Sequence, residues 1–510
     1  MEHQGNISFP PGLKDFKKIT PVRGFDKGDP NNARQNNYVW AMEEMGDYIY
    51  VGTARNIVHS LLRFISEMVG SEITVPPELE PEVVDDSSEI WRYHKSGRRG
   101  WERVYKAPPE PMNIGFRFMQ RYTTPKGETA LYAAALTPLN PNLLILKSTD
   151  GVNWYPLDSG ITGYSARYMT EHKGKLYMGA LPFLGIGETL LFVSEDPAGE
   201  GWQLIDVAGK PGKNPRGSIE LILSYNDHLY VGTVQPQGFE IWRTRGEVPE
   251  KDNWKLVVDQ GAGDARNEHP WSIAVFRDHI YVGTAIEAAV FSANPEQDIV
   301  PPKGFDVIRI DKNDNWELVV GGTPVVPTNP TTGTRGEPLS GYPSGFGNIS
   351  NAYCWQLQPF GNQLYLGTFS WSVLIPAFIP LLPEILKILL PMVDRTGAEK
   401  SEFSNEELAE MKRILQKPNA GQFLEWLARL VMKLGYRVFG FDLWKTRDGV
   451  HWKAVSLNGF GNPYNYGVRM LFVSEEEKLY LGTANPFQGC EVWVKKKPYR
   501  TAGKYCEDSL

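Results

Sequence analysis

One short phrase, a tyrosine flanked by aliphatic residues and followed by small ones, returns seven times along the chain. It reads YIYVGT (Tyr48–Thr53), LYAAA (Leu131–Ala135), LYMGA (Leu176–Ala180), LYVGT (Leu229–Thr233), IYVGT (Ile280–Thr284), LYLGT (Leu364–Thr368) and LYLGT (Leu479–Thr483). Self-similarity on this scale restricts a chain to repeated copies of one small unit, which bury their faces against each other. Most copies are followed by a run with an acid two residues before a tryptophan, as at Glu89–Trp91, Glu240–Trp242, Asp442–Trp444 and Glu491–Trp493. A turn and a third run follow, opening on Trp101, Trp154, Trp202, Trp254, Trp316 or Trp452. An apolar run such as Tyr38–Met42, Ala166–Met169, Ser218–Ile222 or Tyr353–Leu357 precedes the tyrosine strand, joined to it by short turns that signal hairpins.

Each repeat thus reads as four antiparallel strands, A to D, and seven such units predict an all-β fold, a seven-bladed β-propeller. Only six of the repeats carry the tryptophan that opens strand D. After Val492–Val494 the chain runs out in KKKPYRTAGKYCEDSL without one. The N-terminal DFKKIT, Asp15–Thr20, offers Phe16 and Ile19 in its place, so an N-terminal strand is expected to complete blade 7 and protect both sheet edges.

A single propeller with insertions absorbs nearly all 510 residues. The net charge of -7 argues against a sequence-independent nucleic-acid binder, which needs a basic surface. Cys354, Cys490 and Cys506 show no spacing for a zinc site or a disulfide framework. The N-terminal residues lack the charged and apolar regions of a secretory signal, so a cytoplasmic location is expected. No phosphate-cradling or nucleophile-elbow motif is present, and the eight histidines suggest no metal cluster, so neither cofactor nor metal is expected.

Four long insertions, 54–88, 285–303, 321–350 and 369–439, fall in B–C or D–A connections. Those connections emerge on one face of a propeller, so the insertions are expected to form a cap over the central funnel. Helical spacing places Ile57, Leu61, Ile65 and Met68 on one face of Asn56–Val69. Ser404 and Glu407 form a capping-box pattern ahead of an apolar helix at Gln422–Leu434. Between them lies the apolar run Trp371–Val393, whose four prolines argue against a straight membrane span. The segment 371–434 suits packing within the cap, a homo-oligomer interface or a shallow contact with a membrane surface.

Aligning the repeats on their tyrosine strands lets the innermost strands be read as a row around the axis. Ten residues before the tyrosine stand Trp40, Arg167, Glu220, Trp271 and Trp355, and allowing for longer turns the row adds Arg117 and Arg469. Guanidinium groups make forked hydrogen bonds to carboxylate or phosphate, and indole faces stack on pyranose or flat surfaces. A small anionic or carbohydrate-like ligand in the funnel is therefore expected. An ion pair between Arg167 and Glu220, with the tryptophans as packing, would also account for the row. The loops feeding it bring Asn37, Asn351, Glu268 and His269 toward the mouth. Glu268, His269 and Glu220 are the candidates for acid/base chemistry in a hydrolase or lyase. A protein-interaction scaffold using the apolar insertions is the third reading.

The C–D turns STDGVNW (Ser148–Trp154) and TRDGVHW (Thr446–Trp452) resemble shortened Asp-boxes of the sialidase and related BNR-repeat propellers, with degenerate versions at Ser194–Trp202 and His94–Trp101. The resemblance implies a folding role: the aspartate caps the turn, the tryptophan packs between sheets, and both lie away from the catalytic face. It speaks for the architecture, and the catalytic set of that family finds no matching motifs here.

Overall fold

The computed structural model describes residues 15–69, 75–137, 140, 142–161, 163, 165–181, 189–207, 210, 212–286, 303–374 and 439–496. The fold is all-β and propeller-like. Among the described residues, 28 strands pair as seven antiparallel groups of four. The first strands of the groups are Asn36–Met45, Gly115–Thr123, Ser165–His172, Ile219–Tyr225, His269–Phe276, Asn351–Phe360 and Gly467–Val473. The last group takes its fourth strand from the other end of the chain: Phe16 lies opposite Lys495 and Lys18 opposite Trp493. Lys18 and Arg23 both pair with the buried Glu491, at 3.2 and 2.9 Å, which fixes that junction electrostatically.

Hydrogen bonding is not continuous from group to group. Single bridges such as Ala54 to Gly115 and Phe369 to Gly467 join some neighbours, while the group Ile219–Val258 shares no ladder with another. Packing supplies what the ladders do not. Consecutive groups share hydrophobic cores, for example Tyr50 and Ile90 with Phe116 and Leu131, and the last group packs on the first through Val39, Val51, Tyr480 and Val492.

The glycine of the recurrent phrase has its explanation here. A Cβ on Gly52 would stand 2.7 Å from Phe116 Cβ, and one on Gly179 would stand 2.8 Å from Ile219 Cγ2. Side chains at Gly283, Gly367 and Gly482 would overlap Cys354, Val468 and Val39. In each case the obstructing residue belongs to the first strand of the neighbouring group, so the glycine marks where two sheets touch.

The turns at Ser148–Trp154 and Thr446–Trp452 are closed by their aspartates. Asp150 Oδ1 accepts from the Val152 and Asn153 amides, both at 2.8 Å, and Asp448 Oδ1 does the same for Val450 and His451 at 2.9 and 2.8 Å. These amide bonds help hold both carboxyls below the usual carboxylate range.

An α-helix occupies Ile57–Val69. Among its described side chains Val58, His59 and Leu62 are buried and Ile57 packs against the same core, whereas Leu61, expected on the apolar face, is 54% exposed; the side chains of Ile65 and Met68 lie outside the described residues. The amide of Ile57 bonds to Asn37 Oδ1 at 3.0 Å, and Val58 and Leu62 share a core with Leu79 and Val373. That contact orients the helix, because the series 57, 61, 65, 68 and the pair 58, 62 both satisfy helical spacing. Most of the insertion 285–303, the apolar run beyond Leu374, the capping box at Ser404, the helix expected at Gln422–Leu434 and Cys506 lie outside the described residues. Among the described residues no helix is long and apolar enough to cross a membrane.

Replacing Gly367 by alanine forces a methyl group into Val468. Overpacking of this kind costs about 1–3 kcal/mol. Urea denaturation of Gly367→Ala is therefore expected to show a loss of about 2 kcal/mol. An unchanged midpoint would mean that the sheets do not approach each other there.

Candidate functional site

A β-strand exposes alternate residues to one face, so a side chain reaches the axis of such an assembly by alternation or by an irregularity. The first strands use an irregularity. In all seven, the ladder to the second strand slips by one residue at the same place: across Trp40, Arg117, Arg167, Glu220, Trp271, Trp355 and Arg469. Each is the extra residue of a β-bulge, a device that re-aims a side chain. All seven line one cavity of about 340 Å³.

Within it, Arg167 Nη2 binds Glu220 Oε1 at 2.7 Å, and the other oxygen of Glu220 lies 2.7 Å from His269 Nδ1. Arg167 also lies over the Trp271 ring, 4.2 Å from its centroid. Arg117 stands 5.2 Å over Trp40 and donates to Ser165 Oγ at 3.2 Å. Arg469 lies between two indoles, 5.7 Å from Trp40 and 5.3 Å from Trp355. The indole faces expected to receive a ligand are thus occupied by guanidinium groups, a favourable cation–π arrangement. Phe118, Tyr168 and Phe472 supply further aromatic surface on the wall.

Arg469 is 9% exposed and has no carboxylate partner among the described residues. Its Nε is buried without a hydrogen-bond acceptor. Burial, with the like charge of Arg167, pushes its pKa down to about 9, against the opposing influence of Tyr38, Tyr466 and Tyr168. An unpaired charge so placed is costly unless something neutralises it.

The remaining expected residues lie around the mouth. Asn37 joins the helix Ile57–Val69, as described above, and is off the cavity wall. Asn351 is also off it: its Nδ2 donates to Gly345 O at 3.0 Å and to Asp442 Oδ2 at 2.7 Å. The same latch recurs at Asn36 with Glu89, Asn267 with Asp306 and Asn465 with Glu491, at 2.9, 3.0 and 2.9 Å. These asparagines therefore tie an inner strand to the acid of the third strand. Glu268 binds Arg266 at 2.7 Å, beside the Glu220–His269 pair. Above the bulge row, Val58, Leu62, Leu79 and Val373 pack with Trp40, Trp355 and Tyr38 in one apolar cluster. The cavity wall extends the other way, toward the A–B turns, through Glu43, Gln120, Gln358 and Phe472.

Sequence reasoning missed that lower tier. Glu43, Gln120 and Gln358 each stand three residues after a bulge residue, because the bulge adds one to the two-residue alternation. A search at that offset finds them. Burial pushes Glu43 up to about 7, although amides of Glu44 and Arg121 bind its two oxygens at 2.9 and 3.1 Å.

The sequence matches no protein-family model and no curated protein. Among solved structures the chain is similar to the polysaccharide lyase Uly1, at a TM-score of 0.43 and 11% identity over 90% of this chain and 89% of that one. It is similar to the β-propeller domain of the Trilobed protease from Pyrococcus furiosus, at 0.37 and 7% over 89% and 94%. A computationally designed protein, Ika8, matches at 0.37 and 8% over 94% and 99%. Nothing about the chemistry of this chain follows from similarity at this level.

Glu43 links stability to pH. Its pKa rises from 4.5 to about 7 on folding, so in that window the folded protein holds a proton that the unfolded chain releases. The resulting contribution is present below 4.5 and lost as pH rises through about 7. Glu43→Gln removes the dependence, and its thermal stability relative to the parent is expected to improve between about pH 5 and about pH 8. A constant difference across that range would refute the assignment.

Proposed function

We propose that the chain is a seven-bladed β-propeller, a single domain with Asp-box-like turns, whose central cavity binds a small anionic or carbohydrate-like ligand beneath a cap formed by its insertions. The observation that carries this reading is Arg469: buried, without a carboxylate partner among the described residues, and on the same wall as Arg117 and Arg167. Of the three guanidinium groups, Arg167 is compensated directly by Glu220. The volume of about 340 Å³ suits a small molecule. An anion there would satisfy charge-assisted hydrogen bonds in a site of low dielectric.

A second reading draws on the contact between Glu220 and His269, 2.7 Å apart. A histidine oriented by a carboxylate is equipped to move a proton, and the arginines would stabilise negative charge developing on a hydrolase or lyase substrate.

Thermal shift and isothermal titration with acetate, sulfate and inorganic phosphate test the first reading. At least one anion is expected to stabilise the parent protein, and Arg469→Met is expected to weaken its binding by about tenfold or more. If none of the three shifts the parent's melting temperature, the anion site is wrong. For the second reading, turnover of nitrophenyl glycosides and glycuronides should fall by at least about a hundredfold in His269→Asn. Absence of turnover by the parent on the whole set would remove it.

A further inference from the structure

The glutamines on the cavity wall share an arrangement unlike that of the arginines. Gln120 Nε2 donates to Arg121 O at 2.9 Å, Gln356 Nε2 to Arg469 O at 3.1 Å, and Gln358 Nε2 to Pro359 O at 3.1 Å. In each, a backbone carbonyl engages one N–H of the amide, which orients the side chain and leaves its carbonyl oxygen, with the second N–H, available to a ligand. No donor among the described residues reaches any of these three oxygens. All three residues line the same cavity as the guanidinium groups.

The cavity is therefore polarised along its axis. One tier, at the bulges, presents cationic donors: Arg117, Arg167 and Arg469. Another, begun by Gln356 and reached fully three residues farther along the strands, presents neutral acceptors, Gln120 and Gln358, beside Glu43. At the rise of an extended strand the tiers are separated by roughly 10 Å. Neutral carbonyl acceptors match hydroxyl donors, and a cationic group would call for more carboxylate than the single Glu43 supplies. Phe118, Tyr168 and Phe472 offer apolar faces on the same wall. Phe118 and Tyr168 lie together, with ring centroids 4.9 Å apart.

We infer that the ligand is a sugar acid, held with its carboxylate among Arg117, Arg167 and Arg469 and its hydroxyls donating to the side-chain carbonyls of Gln120, Gln356 and Gln358. The inference rests on the anion-binding reading and adds polarity and substrate class to it. A neutral sugar leaves Arg469 without a counter-charge, and a simple carboxylate leaves the carbonyl tier without donors.

Isothermal titration of the full chain with D-glucuronate, propionate, methyl glucoside and β-alanine separates the two claims. Glucuronate is expected to bind about tenfold or more tightly than propionate or methyl glucoside. Gln358→Leu and Gln120→Leu should each weaken glucuronate by about fivefold and leave propionate unchanged. Arg469→Met should weaken both acids. Circular dichroism and melting temperature establish that the variants are folded. If glucuronate binds no tighter than propionate, the polarity is wrong while the anion site stands. Methyl glucoside binding as well as glucuronate would overturn the anion site and the sugar-acid assignment with it. Tighter binding of β-alanine than of glucuronate would make the lower tier a cation site and overturn the hydroxyl assignment. No binding of any probe would overturn both readings.

Discussion

At five junctions an inner strand closely approaches the glycine of its neighbouring group, and that approach fixes the rest of the structure. Phe116, Ile219, Cys354, Val468 and Val39 are the residues that a Cβ at Gly52, Gly179, Gly283, Gly367 and Gly482 would meet. Each stands immediately before a bulge residue. One residue is thus held between two sheets, and the next, freed from alternation by the bulge, turns to the axis. Packing between groups and the composition of the cavity wall are two consequences of one local geometry. A larger residue at the glycine would push apart the sheets and displace the side chain that faces the cavity.

The acids of the third strands serve as buried latches, and several are compensated close by. Glu89 has Arg103 at 2.7 Å, Asp306 has Lys303 at 2.9 Å and Arg335 at 2.8 Å, and Glu491 has Arg23 at 2.9 Å. Desolvation opposes the charged form of Asp306, yet its two cations bring its pKa down to about 2. Asp442, bonded to Asn351 and without a cation among the described residues, is pushed up to about 6 by the same burial. The contrast shows neighbouring charge deciding the state of groups in equivalent positions.

The repeat, the strand order and the bulge row were legible in the sequence because each rests on a short-range pattern at a fixed offset from one tyrosine. Arg117 and Arg469 were reachable only after allowing for longer turns in their hairpins. The latches were not legible as such: Asn351 belongs to a residue type common in loops, and nothing local distinguishes an amide that ties two strands from one that meets a ligand. Glu43 was hidden by the bulge itself, which moves the next axis-facing position from an even to an odd offset. The expectation for Leu61 failed for a different reason. Leu61 and Leu62 are both leucine, and only the anchoring of Ile57 by Asn37 decides which is buried.

The location of the apolar cluster bears on how a ligand approaches. Val58, Leu62, Leu79 and Val373 pack against Trp40 and Trp355, the aromatic members of the bulge row that flank Arg469. That side of the row is apolar, whereas the opposite side continues as a polar wall through Gln120, Gln358 and Glu43. A hydrated anion loses less hydration crossing amides and a carboxyl than crossing a hydrocarbon cluster. Val58, Leu62, Leu79 and Val373 thus lie behind the arginine tier, where they lower its dielectric and would strengthen the charge pairing of the proposed ligand. For the proposed ligand, approach from the A–B turn side follows from the same division of polarity.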